Sequence, residues 1–292
     1  MSSSPRLVRA APLARRLSPY LLPTAAALAL TACPGTASHP RPAGADDLAQ
    51  VVARLQAASA AQTSFRGASV MDYWLGKDRV KGSMLVMRAG GAKVRFNALS
   101  PAGESVMADL ACDGRDFVLV DFQNNCMLTG PCSRDSIAQL LRISLTPDDF
   151  LHLALGGTPV LPQATGTVTW DASKGQERVA LQAAGGSQDI VIDGRDGRWD
   201  VLSSELRDAA GTTVWKVQNT DFAEVKDAAG KVHRVPGKSR LTQPSQQADL
   251  IVEWEQRELN VELGADKFQL QPPAGLPQCG AKPAAPAAPS GR

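Results

Sequence analysis

The chain has 292 residues, with 31 Lys and Arg against 29 Asp and Glu, a formal net charge of +2. The excess sits at the start. The first 32 residues hold four Arg (Arg6, Arg9, Arg15, Arg16) and no acid, so the rest carries 27 basic and 29 acidic side chains, a net of −2. No basic stripe remains to neutralise a phosphate backbone, which argues against nucleic acid as a partner, and the remaining 260 residues suit one large β domain or two small ones.

A run of small apolar residues, Tyr20 to Ala32, follows the arginines. It is shorter than the roughly 20 residues that span a bilayer, and a basic start before a short apolar core reads as an export signal. The run ends in Leu30-Thr31-Ala32-Cys33. This tetrad resembles the bacterial lipobox, in which a leucine and two small residues precede a cysteine that is lipidated after cleavage. The resemblance implies a signal peptide over 1–32, lipid attachment at Cys33 and a membrane partner through that anchor. Pro34, where Asp would retain an inner-membrane lipoprotein, implies the outer membrane, facing the periplasm. Residues 33–47, with their "PGTASHPRPAGA", read as a flexible tether, and 276–292 as a Pro/Ala-rich tail.

The folded part is expected over 48–275. A helix comes first: Asp46 or Asp47 can cap it, and Leu48, Val51, Val52, Leu55 and Ala58 recur at helical spacing. Short β-rich segments closed by turn residues follow: "FRGASVMDYWL", "DRVKGSMLVMRA", "AKVRFNAL", "ESVMADLACDG" and "RDFVLVDF". Their alternation gives one wet and one apolar face, as in an antiparallel sheet covered on one side. Met71, Val80, Met84, Val86, Val94, Phe96, Val106 and Leu110 are the candidates for that inner face.

Five cysteines occur, and with Cys33 lipidated four remain, an even number in an oxidising compartment. Cys126 and Cys132 flank "MLTGP", read as a short loop that brings them together; Cys112 and Cys279 then pair by elimination, though four cysteines allow three connectivities. Next, "SRDSIAQLLRISLTPDDFLHLALGG" reads as two short helices. Ser133 caps the first, with Ile137, Leu140 and Leu141 on its apolar side; Pro147 opens the second, and Gly156-Gly157 end it. Strands resume as "GTVTWD", "ERVALQA", "QDIVIDG", "WDVLSSELRD", "TTVWKVQNTDF", "KVHRVPGKSRLTQ", "ADLIVEWEQREL" and "KFQLQPP". Such spacing argues a sandwich, barrel or half-barrel.

The order of elements resembles the LolA/LolB-like fold of periplasmic lipoprotein carriers. The resemblance is carried by Arg88 to Phe96 before a loop at Ser100-Pro101, the Asp113-Gly114 turn, the insert ending in Leu155-Gly156-Gly157 and the closing "ELGADKFQLQPPAG". It implies a mainly β, α+β fold: a curved antiparallel half-barrel with helices in its mouth over an apolar cavity. The family's receptor carries an apolar hairpin tip between its third and fourth strands; here that link is the short "LSPAGE".

No His-x-x-x-His or Cys-x-x-Cys spacing suggests a metal. "PGKSR" has Val232 where a phosphate loop needs its first glycine, "DGRDG" lacks the further ligands of a calcium loop, and no Gly-x-Ser-x-Gly elbow occurs. The expectation is a binding protein, not an enzyme, without cofactor or metal. Its cavity would hold the acyl chains of a lipoprotein or a similar amphiphile. The alternative is an envelope scaffold or sensor that uses the same sheet to bind a periplasmic protein.

Overall fold

The computed structural model describes residues 38–280 apart from 91, 101, 104 and 134–145. Cys33, the expected signal peptide over 1–32, the first of the two expected middle helices and residues 281–292 lie outside the described residues.

Helix α1 (Leu48–Ala60) is capped by Asp47, whose carboxylate accepts the Ala49 N–H at 2.9 Å. Six strands follow: β1 (Ser64–Leu75), β2 (Asp78–Ala89), β3 (Lys93–Leu99), β4 (Val106–Asp113), β5 (Asp116–Asp121) and β6 (Cys126–Pro131). Helix α2 (Pro147–Ala154) comes next, then β7 (Thr165–Asp171), β8 (Gln176–Ala183), β9 (Gly186–Asp193), β10 (Asp200–Asp208) and β11 (Thr213–Thr220). The chain closes with β12 (Ala223–Lys226), β13 (Val232–Val235), β14 (Lys238–Gln243) and β15 (Ala248–Leu259).

Thirteen of these strands form one antiparallel sheet in the order β6-β5-β4-β3-β2-β1-β15-β14-β11-β10-β9-β8-β7, and β12 pairs only with β13. The ends do not meet, so the sheet stays open. A row of directly opposed residues crosses its inner face: Val179, Ile190, Ser204, Val217, Leu241, Leu250, Tyr73, Val80. Nearly all are apolar because alternate side chains of each strand point to one face.

Each helix covers its own part of that face. Val51 and Leu55 of α1 pack on Val179, Leu181, Ile190, Ile192 and Val201. Leu151, Leu153 and Leu155 at α2 pack with Phe65, Val217, Leu241, Val252 and Trp254. Between the two cores Gln188, itself buried, donates to Ser204 Oγ (3.0 Å) and Pro159 O (2.8 Å) and accepts from Leu161 N (2.8 Å), so its polar groups are satisfied.

Five expectations change. "CMLTGP" is strand β6, paired with β5, not a loop. Extended at about 3.3 Å per residue, it holds Cys126 and Cys132 roughly 20 Å apart, far beyond disulfide reach. The disulfides are Cys112–Cys132, which ties the end of β4 to the residue just after β6 with Cα atoms 6.0 Å apart, and Cys126–Cys279, with Cα atoms 4.9 Å apart. The second ties residues 277–279 to the edge strand β6, where Met127 N donates to Pro277 O and Cys279 N to Met127 O. That protects one end of the sheet from pairing with another chain.

"KVHRVPGKSRLTQ" breaks at Pro236-Gly237 into β13 and β14, and "KFQLQPP" is a 3-10 turn (Ala265–Phe268) followed by extended chain. Finally, the stretch read as tether is docked from His39 onward. His39 N donates to Ala172 O (2.8 Å), Trp170 Nε1 to His39 O (2.9 Å), and Arg41 grips both oxygens of the buried Glu177.

Candidate functional site

The helix at the centre of the concave face is pinned at its end. Thr146 caps its start by accepting from Asp149 N, and Pro147 opens it, where a missing N–H does no harm. At its end Gly156 N donates to Leu153 O and Gly157 N to His152 O, the reciprocal pair of a Schellman turn. Gly156 has φ +84°, and a Cβ there would meet Pro236 Cδ at 2.8 Å, so the site demands glycine. The free carbonyl of Ala154 accepts from Trp254 Nε1 (3.0 Å) and Ser239 Oγ (3.1 Å), both on the sheet floor. Under α2, between Leu153, Val217, Leu241 and Val252, only about 10 Å³ stays empty, the room of one water at most.

Beyond α2 the same face is hollow. A cavity of about 440 Å³ lies over β1–β5 and β15, inside the roughly 300–1,000 Å³ of small-molecule sites. Met71 and Tyr73 come from β1, Val80 and Met84 from β2, Phe96 and Ala98 from β3, Met107 and Leu110 from β4, Leu119 from β5 and Leu250 from β15. Lys81, Ser83 and Gln123 are the polar members of the lining. No carboxylate borders it among the described residues. Val80, 68% exposed, marks the side where the cavity meets solvent.

Five of the eight inner-face candidates line this cavity: Met71, Val80, Met84, Phe96 and Leu110. Val86 and Val94 share their face but lie in the close-packed core with Phe65 and Leu151, at 1% and 0% exposure. Val106 is turned out, 39% exposed. A register shift between Ala98 and Leu99 sets Leu99 opposite Val106 while Ala98 stays opposite Ala108. The extra residue, Met107, swings inward in its place. Simple alternation therefore missed Met107, and it missed Leu250 because nothing local says that β15 lies beside β1. The Leu250, Val252, Trp254 alternation was the available signal.

No family model matches the chain, and no curated protein matches it in sequence. Solved structures do. A protein of the DUF1329 family from Desulfovibrio piger is 14% identical, covering 75% of this chain and 94% of that one at TM-score 0.50. A LolA superfamily protein from Nitrosomonas europaea is 11% identical, over 75% of this chain and 97% of that one at TM-score 0.49. A domain described as an outer membrane lipoprotein-sorting protein, from Vibrio parahaemolyticus, is 11% identical, over 75% and 94% at TM-score 0.48. The fold is an open, curved antiparallel half-barrel. At these identities the likeness concerns the fold alone.

Several ion pairs lie on the outer face of the half-barrel. Arg95 binds both oxygens of Asp109 (3.0 and 2.7 Å) and also donates to Lys267 O, which holds the C-terminal turn on the back of β3 and β4. Near the cavity, Arg79 binds Asp72 at 2.8 and 2.6 Å. Those hydrogen bonds, against a smaller opposing effect of desolvation, hold the Asp72 carboxyl below its ordinary value. At the far end of β15 Asp227 accepts from Asn260 Nδ2 (3.0 Å), from His233 Nε2 (2.8 Å) and from the N–H groups of Ala229 and Lys231. The Asn260 and His233 hydrogen bonds hold its carboxyl far below the usual range. No group of three His, Cys, Asp or Glu placed to hold a metal occurs among the described residues, and no helix among them is long and apolar enough to cross a membrane.

Proposed function

We propose that this chain is a binding protein of the bacterial envelope, without enzymatic activity, that holds the acyl chains of a lipoprotein or similar amphiphile in the 440 Å³ cavity. Lipid on Cys33 anchors it to the outer membrane, facing the periplasm. One observation carries the reading: within a single concave face, packing is nearly complete under α2 and absent over Met71, Met84, Met107 and Phe96. A folded protein rarely leaves such an apolar volume unfilled unless something enters it. Three methionines suit varied chains, because their unbranched thioethers adapt to the shape of an occupant. The two disulfides fit an oxidising compartment.

The test is titration of the protein with a fluorescent fatty-acid probe. Wild type is expected to bind it saturably, and Met84→Asp to stay folded and lose binding, because an ionised carboxylate enters an apolar pocket at high cost. Folded wild-type protein that never binds the probe overturns the reading in favour of a scaffold or sensor.

A further inference from the structure

Strand β2 pairs with β1 along its whole length, from Ala89 opposite Ser64 to Asp78 opposite Leu75. Its other neighbour is shorter. β3 joins only at Met84, opposite Ala98, and among the described residues nothing pairs with the outer edge of β2 from Asp78 to Ser83. A strand that lines a cavity by one face contributes alternate residues. Here Val80, Lys81, Gly82 and Ser83 border it in succession. The edge itself, with the N–H and C=O groups that point away from β1, therefore faces the hollow. Room is available: a Cβ on Gly82 would meet only Leu99 O, at 3.7 Å.

The charge on this edge is unbalanced. Register sets Lys81 opposite Asp72, but Arg79 occupies both oxygens of that carboxylate. Among the described residues Lys77, Asp78 and Lys81 make no ion pair, so the unpaired charges along this edge are two positive and one negative, and Lys81 keeps only a longer-range attraction to Asp72. By alternation Lys81 stands on the outer face, while Val80 and Gly82 stand on the cavity side.

We propose that the open edge of β2, Asp78–Ser83, takes an extended peptide as an added strand. Apolar residues of the peptide turn into the cavity, and acidic residues on its other face meet Lys81. Backbone hydrogen bonds supply the affinity of such an added strand, and alternate side chains its selectivity. The inference rests on the carrier reading and deepens it: the cargo is a polypeptide bearing acyl chains, with the chains in the hollow and the polypeptide on the edge.

The test is fluorescence anisotropy of a labelled, end-capped hexapeptide of alternating Leu and Glu, with wild-type sequence at every position but Cys33→Ser. Saturable binding is expected. Methylating the amides along one edge of the peptide should weaken it at least tenfold while leaving the protein untouched, and Lys81→Glu should shift preference to a Leu-Lys hexapeptide. No binding, or equal binding of methylated and unmethylated peptide, overturns the proposal. The fatty-acid probe is titrated on the same preparation. Probe binding without peptide binding removes the edge site alone; peptide binding without probe binding supports the edge site and removes the acyl carrier.

Discussion

Arg41 and Glu177, 136 residues apart, meet through two hydrogen bonds of 2.9 Å each, with the glutamate side chain fully buried. The pair holds the segment before α1 against β8. Breaking it leaves a buried carboxylate without its partner, which costs about 3–5 kcal/mol. Arg41→Met should therefore lower stability strongly, and Arg41→Met with Glu177→Leu should recover most of the loss. Chemical denaturation of the two variants and wild type checks this. A single variant as stable as wild type would mean that the segment is not docked in solution.

The cavity has a packing signature. Leu155, 1% exposed beneath the helix end, sits in close-packed surroundings, and Leu155→Ala should cost about 2–5 kcal/mol. Phe96 borders space that is already empty, so Phe96→Ala should cost less than the roughly 3–5 kcal/mol of a close-packed aromatic. Thermal unfolding of both variants measures the contrast, and equal losses normalised to volume removed would argue for a filled site.

Peptide mapping under non-reducing conditions should recover Cys112 linked to Cys132 and Cys126 linked to Cys279. The two bridges enclose very different lengths of chain, 20 and 153 residues in sequence separation. On loop-closure entropy the shorter contributes about 3 kcal/mol and the longer about 5 kcal/mol. Replacing the Cys126–Cys279 pair by serines should therefore lower the denaturation midpoint more than replacing Cys112–Cys132.

Asp227 should make stability depend on pH in acid. Its folded carboxyl is held far below the ordinary value of 3.8, first by Asn260 and then by His233. A carboxyl with a depressed folded pKa adds stability that is fully present above the unfolded value and is lost as pH falls toward the folded one. Asp227→Asn should thus be less stable than wild type at pH 7, with the gap closing progressively below about pH 4. A gap that is constant from pH 7 to pH 2 would contradict the assignment.

The LolA/LolB-like resemblance and the local patterns agree on what a sequence can encode locally. Asp47 caps α1, Pro147 and the Gly156-Gly157 pair delimit α2, and "VKGSMLVMR" and "KVRFN" alternate as strands with one buried face. These are settled within a turn or two of chain, by capping groups, missing donors and the two-residue period of a strand. Which apolar residues border empty space was not legible there. Met84 and Val86 stand on one face of one strand with the same chemistry, yet one lines the cavity and the other is packed tight. Their difference comes from where β3 stops, where α2 lies and which way the bulge at Met107 turns. The same holds for Cys126 and Cys132: only the pairing of β6 with β5 pulls them apart. Periodicity orients a side chain relative to its own strand. Neighbours, enclosed volume and disulfide partners depend on contacts between residues distant in sequence, and those are decided only when the whole sheet assembles.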